Sequence, residues 1–572
     1  MMKHTSLKKF IIALAIFLVL CTVIAWQFPS GSAKAPESWI SIIPPLMAVT
    51  FALVLRNLYI SFLVAILCGG FLTTVPAQPL SGLAWLQGGL HGMHFIVSSL
   101  LDSTNIQIMV FVILVMSMIS VLMQAGGLQG IIDKLERFAR SKKSAQFVTV
   151  LMGLAIFIDD YANTMIVGSS MRPVTDRFRI SREKFAFLVD ATSAPIAGIA
   201  VISTWIGYEV SLFSQVGTSL HIQMDGYAMF FDALSYRFYC FMMIIFVLIN
   251  VLSGQDYGPM RRAERNTLKG NQHDTPQLRP QDTLLSEQSK PDPKTRIRAS
   301  TALLPLGGLF LFLLSGLWID GGGNALWAQG FLVILNPSAW REVMSKGENN
   351  ILILALAAGF GLVLAMVCAR FLAKLAFSDI IKSVWVGCQR CMVPLSILVL
   401  AWSLKAACDS LHTGQFLAQA VGNVVSPLWF PALLFIVAGL TSFATGTSWG
   451  TMAILIPTAI PIAFNLDGDI YGLVTMMSLG AVLDGAIFGD HCSPISDTTI
   501  MSSIFSSCDH INHVKTQLPY SVTVALLAVL CGYLPAAWGL SSWFCLGLAG
   551  GLIGLLYLSL STIRSQKNKS AG

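Results

Sequence analysis

The chain has 572 residues, of which 55% are hydrophobic and only 11% are charged, and its mean hydropathy is +0.71. Soluble globular proteins carry about 25% charged residues, so this composition excludes a soluble domain and indicates an integral membrane protein. The formal net charge of +7 is spread along the chain and forms no basic patch, so we expect no nucleic-acid partner.

Apolar runs in the N-terminal part predict the first membrane crossings. Four runs precede residues 127–143, an amphipathic segment with five Lys or Arg that predicts a helix on the cytoplasmic face. Four crossings from a cytoplasmic N-terminus return the chain to the cytoplasm. This agrees with the basic residues of 127–143, because cytoplasmic segments of membrane proteins are enriched in Lys and Arg. The runs fall at 10–28, 39–55, 57–75 and 105–126, with Arg56 between the second and the third.

The next apolar run, 145–171, ends against a second basic cluster and has acids in its middle. A single crossing would leave the cluster Arg172–Lys184 outside, against the usual distribution of basic residues. A segment that enters, turns and returns leaves the cluster in the cytoplasm. We therefore predict a re-entrant hairpin with its tip, residues 159–164, near the middle of the bilayer. Non-helical backbone at that depth is tolerated only where it lines a cavity or packs on protein.

A broken crossing is predicted next. Residues 184–206 are apolar but are interrupted at 190–195, where a proline removes a backbone donor and breaks the helix. The segment 207–233 is expected to be an external loop, and the helix 234–254 returns to the cytoplasm. Residues 255–298 are polar and predict a flexible cytoplasmic linker.

The second half repeats this plan. Its predicted hairpin, 428–464, carries Thr445, Thr447 and Ser448 at the tip, and a broken crossing at 471–505 follows it. Basic residues after the last apolar run keep the C-terminus in the cytoplasm. The remaining predicted helices fall at 299–318, 351–375, 392–411, 518–538 and 542–562.

Two short matches relate the halves. The sequence DATS at 190–193 recurs as DHCS at 490–493, each close to a Pro-Ile pair, and NTM at 163–165 of the first tip corresponds to GTM at 450–452 of the second. The charge distribution gives the two halves opposite orientations. Broken helices and hairpin tips that meet in mid-membrane across an inverted repeat are the usual site of a secondary transporter.

The predicted fold is an all-α polytopic membrane protein with about twelve transmembrane helices, two re-entrant hairpins and an inverted repeat with two broken helices. We divide it into an N-terminal helix with the first external loop, a first repeat, a cytoplasmic linker, a second repeat, and a last helix with the cytoplasmic C-terminus. These parts span 1–38, 39–254, 255–298, 299–538 and 539–572.

Carboxylates lie at or beside the predicted breaks. An ionised carboxylate at the centre of a transmembrane helix costs about 2.5–3.5 kcal/mol, whereas Ser, Thr and Pro are common wherever such helices pack. No Lys or Arg is close in sequence to Asp190 or Asp484, and no Arg lies near any break. Buried acids without a cationic partner favour a metal cation or a proton. The acids are Asp159, Asp160, Asp190, Asp484, Asp490 and Asp497.

The chain resembles the NhaC family of Na+/H+ antiporters, which has malate/lactate antiporter relatives, in FIDDYANTMIVGSSMRPVTD, LVDATSAPIAGIAVISTW, TSFATGTSWGTMAILIPTAIPIA and GAIFGDHCSPISDTTIMSS. The resemblance covers residues 40–540. It implies an inverted-repeat fold, often dimeric, with elevator-like motion and cation sites near the hairpin tips. The site residues that it implies are Asp159, Asp160, Asn163, Thr164, Asp190, Ser193, Thr445, Thr447, Ser448, Asp490, Ser493 and Asp497.

The leading hypothesis is Na+/H+ exchange by alternating access, in which the two ions compete for the same carboxylates. Na+ is expected at Asp159, Asp190 and Asp490, with hydroxyl and carbonyl oxygens completing its shell, as hard cations prefer. We expect no cofactor, and the partners are Na+, H+, the lipid bilayer and a second copy in a homodimer. The expected location is the plasma membrane of a bacterium (the inner membrane if Gram-negative), with both termini in the cytoplasm.

Two alternatives stay open. A cation-coupled exchanger of organic acids, of the malate/lactate type, would favour helix N-termini or an Arg at the site, and the lack of Arg near the breaks argues against it. An intramembrane serine hydrolase would use Ser448, because residues 446–450 (GTSWG) fit G-x-S-x-G and His491 lies in the next broken helix. That motif requires a strand-to-helix turn, so we do not expect an enzyme.

Overall fold

The computed structural model describes residues 39–55, 57–74, 81–269, 295–336, 349–413 and 425–569, together with residues 339, 340, 343, 346, 347 and 416. The predicted helix at 10–28, Arg56 and residues 270–294 of the predicted linker lie outside this part of the chain. Every regular element in the described part is helical, which confirms the all-α class.

Helices α1 to α13 precede the gap at 270–294. A 3-10 turn, Trp39–Ile42, leads into α1. Their bounds are α1 Ile43–Leu55, α2 Leu58–Thr74, α3 Gly82–Leu101, α4 Ser103–Gln124, α5 Gly127–Glu136, α6 Lys142–Ala155, α7 Asp160–Arg177, α8 Arg182–Ala191, α9 Ala194–Ala197, α10 Thr204–Ser219, α11 Gly226–Leu234, α12 Phe238–Ser253 and α13 Gly258–Leu268.

Helices α14 to α24 follow it. They are α14 Ser300–Asp320, α15 Asn350–Phe371, α16 Phe377–Arg390, α17 Met392–Ser410, α18 Phe430–Thr445, α19 Ser448–Leu466, α20 Leu473–Cys492, α21 Asp497–Ser506, α22 His510–Leu527, α23 Leu534–Ala537 and α24 Ser542–Lys569. Two 3-10 segments follow α14, and a π-helical segment, Ala528–Tyr533, links α22 to α23. Within the described residues, nine helices are long and apolar enough to cross a membrane, and three shorter apolar helices accompany them. These helices confirm a polytopic membrane protein, while the count of twelve crossings stays a prediction.

The first predicted hairpin folds back on itself. Helices α6 and α7 are joined by a short non-helical stretch, and their outer ends meet, because Lys142 Nζ donates to the Arg179 carbonyl at 3.2 Å. The same lysine forms an ion pair with Glu264 of α13. The chain therefore enters and leaves this segment at the same end of the molecule, as a re-entrant hairpin requires.

Both hairpin tips begin their second helix in the same way. Asp159 caps α7 with φ −152° and ψ 129°, and Thr447 caps α19 with φ −153° and ψ 124°. Each side chain accepts a hydrogen bond from the backbone N–H three residues on, at Ala162 and Gly450. This geometry aligns Asp159 with Thr447, one residue away from the register predicted from NTM and GTM. The predicted register was wrong because cap geometry, rather than side-chain identity, sets the turn.

The two broken helices also share a local geometry. The Ser193 N–H donates to the Asp190 carbonyl at 3.1 Å, and the Ser493 N–H donates to the Asp490 carbonyl at 3.0 Å. The predicted D-x-x-S correspondence therefore marks the same backbone hydrogen bond in each half, but the chain continues differently after it, because ψ is −89° at Ser193 and 130° at Ser493.

Several segments predicted as loops are helices. Residues 207–233, the expected external loop, lie mostly in α10 and α11, and α10 is largely buried. The polar residues of this segment suggested a loop. Its Glu209 is nevertheless buried in a helix, because it pairs with an arginine at the start of another helix. Part of the expected flexible linker is also ordered, since Glu264 of α13 accepts from the Ser181 N–H at 2.7 Å.

Helix α3 was missed because glycines lower its hydropathy. These glycines let it approach α2 closely: a Cβ at Gly70 would come within 2.4 Å of the Gly88 carbonyl and of the Gly92 nitrogen. Small residues at a helix contact allow such an approach in membrane proteins. Helix α16 was missed for a related reason, since it is short and amphipathic.

Asp225, in the connection before α11, provides a test of stability against pH. Its side chain accepts from the Ala228 N–H at 2.8 Å, and burial raises the pKa of Asp225 to about 6 in spite of that bond. Between about pH 4, near the pKa of an unperturbed Asp, and pH 6 the folded chain holds a proton that the unfolded chain has lost, so stability falls as the pH rises. Asn caps a helix about as well. We expect the Tm of Asp225→Asn to equal that of the wild type near pH 4 and to exceed it above pH 6; a difference independent of pH would contradict this.

Candidate functional site

A cavity of about 450 Å³ lies between the two hairpin tips, and both halves of the chain line it. It brings together the acids of the first tip, the hydroxyls of the second tip and the acids of the second break. The predicted site residues that line it are Asp159, Asp160, Thr447, Ser448, Asp490 and Asp497. The predicted residues that lie outside its lining are Asn163, Thr164, Asp190, Ser193, Thr445 and Ser493.

The two acids of the first tip play different parts. Asp159 Oδ2 accepts from the Ala162 N–H at 2.8 Å, and Oδ1 accepts from Thr204 Oγ1 at 3.0 Å. Asp160 is the first residue of α7, and one of its oxygens accepts from the Tyr161 N–H at 3.0 Å. Both carboxylate oxygens of Asp159 therefore accept hydrogen bonds that stabilise the tip. Asp160 has one such bond, so its other oxygen is better placed to bind a ligand.

The acids of the second break face the same space. Asp490 Oδ2 accepts from Thr498 Oγ1 at 3.1 Å, and Oδ1 is buried with no hydrogen-bond partner among the described residues. Asp497, at the start of α21, is exposed to the cavity and accepts a hydrogen bond from the Tyr161 hydroxyl. A buried carboxylate oxygen without a donor is costly unless a ligand or a proton completes it, so Asp490 is the strongest candidate ligand.

Hydroxyl groups outside the cavity hold the breaks together. Ser193 Oγ donates to the Asp190 carbonyl at 2.8 Å, and Ser493 Oγ donates to the Phe443 carbonyl at 2.7 Å. Thr445 Oγ1 donates to a carbonyl one turn back in α18. These groups complete the backbone hydrogen bonding at the interrupted ends of helices, which is a structural role.

Asn163 ties the first tip to the first break. Its side-chain nitrogen lies 2.7 Å from the Gly153 carbonyl, 2.9 Å from that of Ile156 and 2.8 Å from that of Thr192. The nitrogen is the donor in all of these contacts, and its two hydrogens are shared among three carbonyls, so the amide ties the end of α6 to the turn at the first break. Thr164, the next residue, is buried outside the cavity.

This arrangement predicts that Asn163→Asp strongly destabilises the protein. An ionised carboxylate donates nothing to the three carbonyls and repels them, and each buried group left unsatisfied costs about 1–3 kcal/mol. We expect little monodisperse protein in detergent and a much lower Tm than for the wild type. The control Asn266→Asp, at an exposed position of α13, should behave as the wild type. A well-folded Asn163→Asp protein would contradict the structural role.

Asp190 belongs to a second polar cluster beside the cavity. Its Oδ1 accepts from Ser502 Oγ at 3.0 Å and its Oδ2 from Gln517 Nε2 at 2.7 Å. His513 Nε2 lies 3.3 Å from Oδ2, and His491 Nε2 lies 3.8 Å from it. No Lys or Arg is close to Asp190 in sequence, and its partners come from helices that are distant in sequence.

Asp484 does have a cationic partner, which corrects the expectation from sequence. Arg237 Nε lies 2.8 Å from Asp484 Oδ1, and Arg237 Nη1 lies 3.3 Å from Glu209 Oε1, with all three side chains fully buried. The Tyr239 N–H and the Tyr533 hydroxyl donate to the other Asp484 oxygen. Asp484 is therefore part of a buried ion cluster that joins α10, α12 and α20, and we do not assign it to the site.

Arg390 is the functional candidate that sequence reasoning overlooked. It is the last residue of α16 and lines the cavity together with Asp159, whose charge attracts it. The expectation that no Arg lies near a break was wrong, because α16 is far from every break in sequence. The signal in the sequence that could have identified it is a basic residue inside an apolar stretch, because a charge there is costly and commonly has a functional role.

The geometry does not fit a serine nucleophile. Ser448 Oγ donates to the Ala486 carbonyl, and the segment around it joins two helices rather than a strand and a helix. His491 Nδ1 is 2.9 Å from the Tyr239 hydroxyl, and its other nitrogen faces Asp190. A nucleophile elbow needs its serine on a strand-to-helix turn beside the histidine.

The helical fold, the paired hairpins and the polar cavity between them define a secondary transporter. The chain belongs to the Na+/H+ antiporter family, whose sequence profile matches residues 196–538. The Na(+)/H(+) antiporter NhaC of Alkalihalophilus pseudofirmus is 27% identical over 175 residues, which are 30% of this chain and 37% of that protein. The resemblance to the NhaC family is therefore confirmed.

Other relatives cover more of the chain or carry different names. An uncharacterised protein of Haemophilus influenzae is 28% identical over 513 residues, 89% of this chain and 92% of that protein. The malate-2H(+)/Na(+)-lactate antiporter of Bacillus subtilis is 35% identical over 114 residues, 19% of this chain and 23% of that protein. The crystal structure of the Alcanivorax borkumensis YdaH transporter matches with a TM-score of 0.54 at 15% identity, covering 94% of this chain and 99% of that one, and supports the fold.

Proposed function

We propose that this chain is a secondary antiporter that exchanges Na+ for H+ across the plasma membrane of a bacterium by alternating access. The observation that carries the proposal is the convergence of four aspartates from both halves of the chain on one cavity at the hairpin tips. We place both termini in the cytoplasm and expect a homodimer. Membership of the Na+/H+ antiporter family supports the choice of ions.

The site would bind Na+ through oxygen atoms. Asp490 offers an oxygen with no other partner, Asp160 and Asp497 offer further carboxylate oxygens, and Thr447 and Ser448 offer neutral hydroxyls. Hard monovalent and divalent cations prefer such ligands. Asp190, whose two oxygens already accept hydrogen bonds, holds the adjoining break and does not bind Na+ in this proposal.

Competition between Na+ and H+ follows from charge. Carboxylates that share a buried space repel one another, and either a proton or Na+ relieves that repulsion. Loading a proton therefore weakens Na+ binding, and loading Na+ expels the proton. If the loaded cavity opens alternately to either side, the two ions are exchanged, because each ion leaves on the side where the other is abundant.

The test is Na+-driven proton movement by the purified protein in proteoliposomes. An inward Na+ gradient should acidify the medium outside, where a pH-sensitive dye reports it, and empty liposomes should show no change. A Na+ gradient that moves no protons in either direction would reject the proposal. K+ in place of Na+ serves as the ion control.

A second candidate is a cation-coupled exchanger of organic acids. The observation that favours it is Arg390 in the cavity, since an organic anion needs a positive partner that Na+ exchange alone does not require. The relative from Bacillus subtilis, named for malate and lactate, adds to it. Malate and lactate gradients in the same liposomes would distinguish this candidate, because they should drive proton movement only if the acids are carried.

A further inference from the structure

The cavity is larger than a bound Na+ needs. Its volume of about 450 Å³ falls in the range of about 300–1,000 Å³ that is typical of pockets for small organic molecules. A cation held by a few oxygens would occupy only the acidic end. The remaining space requires a second occupant or water.

The guanidinium of Arg390 has no strong acceptor. Its Nη1 contacts Met123 Sδ at 3.7 Å, and among the described residues no carboxylate oxygen lies within the 4.0 Å of an ion pair. Arg390 and Met123 also line a second cavity of about 580 Å³, so they separate it from the first. The guanidinium of Arg390 is exposed at the boundary of the two cavities, attracted by Asp159 but hydrogen-bonded to no carboxylate of the described residues, so it is suited to receive the carboxylate of a molecule that enters.

Away from Arg390, the lining of the cavity consists of an acidic part and an apolar part. The acids at the hairpin tip and the second break supply negative charge for an ammonium group. Apolar side chains cover most of the remaining lining, and methionines among them adapt to ligands of different shape. They include Met116, Ile119, Met165, Ile397 and Met501, with Trp205 and Trp449 beside the tips.

We propose that the cavity binds a free α-amino acid with an apolar side chain, its carboxylate on Arg390 and its ammonium among Asp160, Asp490 and Asp497. This inference rests on the proposed function, because it adds an organic substrate to the same Na+-binding site. A zwitterion matches both charges of the cavity. A dicarboxylate would bring two negative charges towards four aspartates and a single arginine, which is unfavourable.

The first experiment compares ligands that share a carbon skeleton. The Tm of purified protein in Na+ buffer is measured with L-leucine, with 4-methylpentanoic acid, which lacks the ammonium, and with 3-methylbutylamine, which lacks the carboxylate. L-methionine, L-phenylalanine and L-malate complete the panel. We expect at least one of the apolar amino acids to raise the Tm, and both fragments and malate to have no effect. No shift with any amino acid, or equal shifts with the carboxylic acids, would overturn the proposal.

The second experiment removes the guanidinium group of Arg390. Arg390→Gln should weaken amino-acid binding roughly 10- to 100-fold, the value of hydrogen bonds to a charged group. Arg370→Gln, an exposed arginine at the end of α15, is the matched control and should bind as the wild type. Unchanged amino-acid affinity in Arg390→Gln would overturn the assignment of the carboxylate. If that variant does not fold, the fragment series in the wild type decides the question alone.

The two proposals fail separately. Na+-driven proton movement without any amino-acid binding would retain the exchanger and reject the amino acid. Amino-acid binding without Na+-driven proton movement would retain the ligand and reject Na+/H+ exchange. Amino-acid binding is measured by the Tm of the purified protein, and proton movement is measured after the same protein is reconstituted in proteoliposomes, so unfolded protein would be detected before either result is interpreted.

Discussion

Replacing Asp490 by Asn is expected to reduce Na+-driven proton movement by about 100-fold. Asp490 Oδ1 is buried beside the cavity without a donor, so Na+ or a proton is its natural partner in the proposed cycle. Interactions with a charged group contribute about 1.5–3 kcal/mol, and about 1.4 kcal/mol corresponds to a tenfold change in affinity. An amide keeps the shape but removes the charge and the capacity to carry the proton. Everted vesicles with a pH-sensitive dye provide the measurement.

The matched control is Asp469→Asn, in the exposed turn between α19 and α20, where φ is 60° and Asn is well tolerated. It should exchange ions at the wild-type rate. Asp190→Asn is a second comparison, because Asp190 lies outside the cavity and both of its oxygens already accept hydrogen bonds, so the substitution should change the stability of the break more than Na+ affinity. Wild-type exchange by Asp490→Asn would remove this residue from the site.

Replacing Arg237 by Met is expected to destabilise the protein by about 3–5 kcal/mol. The substitution leaves Glu209 and Asp484 buried and without their shared cation, and uncompensated buried charge has a cost of this size. The thermal unfolding temperature in detergent and the yield of folded protein in membranes report the effect. Arg262→Met, on the exposed face of α13, should have the wild-type Tm.

A triple variant separates charge from packing. Glu209→Gln and Asp484→Asn, combined with Arg237→Met, remove every charge of the cluster and should recover much of the lost stability. If the triple variant is no more stable than Arg237→Met alone, the loss comes from packing around the arginine. In that case the buried charges would not explain the effect.

The sequence predicted the first hairpin because charge patterning is local. The basic cluster after residue 171 required the chain to turn back, and Lys142 and Arg179 do meet at one end of the hairpin. Asp159 and Asp160 were predicted at the tip for the same reason, and both line the cavity. Their difference was not predictable, since the second bond of Asp159 comes from Thr204, beyond the next broken helix.

The sequence was least informative about partners. It indicated no partner for Asp190 or Asp484 and no arginine in the cavity. In the structure, His513 lies beside Asp190, Arg237 pairs with Asp484, and Arg390 lines the cavity. A search along the chain detects cations within a few residues, whereas helix packing brings together side chains that are hundreds of residues apart. Because Arg390 lines the cavity, the lack of an arginine close to the breaks in sequence no longer disfavours an organic substrate.

Composition and charge order by themselves determined that this is an all-α membrane protein and predicted acids at the breaks of its helices. These properties are local, because hydropathy, proline and basic clusters act on the segment that contains them. Only the tertiary structure decided which acids share a cavity, which are already bonded, and that an arginine faces them. Those outcomes depend on how helices from both halves pack. The role of a buried polar group is set by the partner that this packing places beside it.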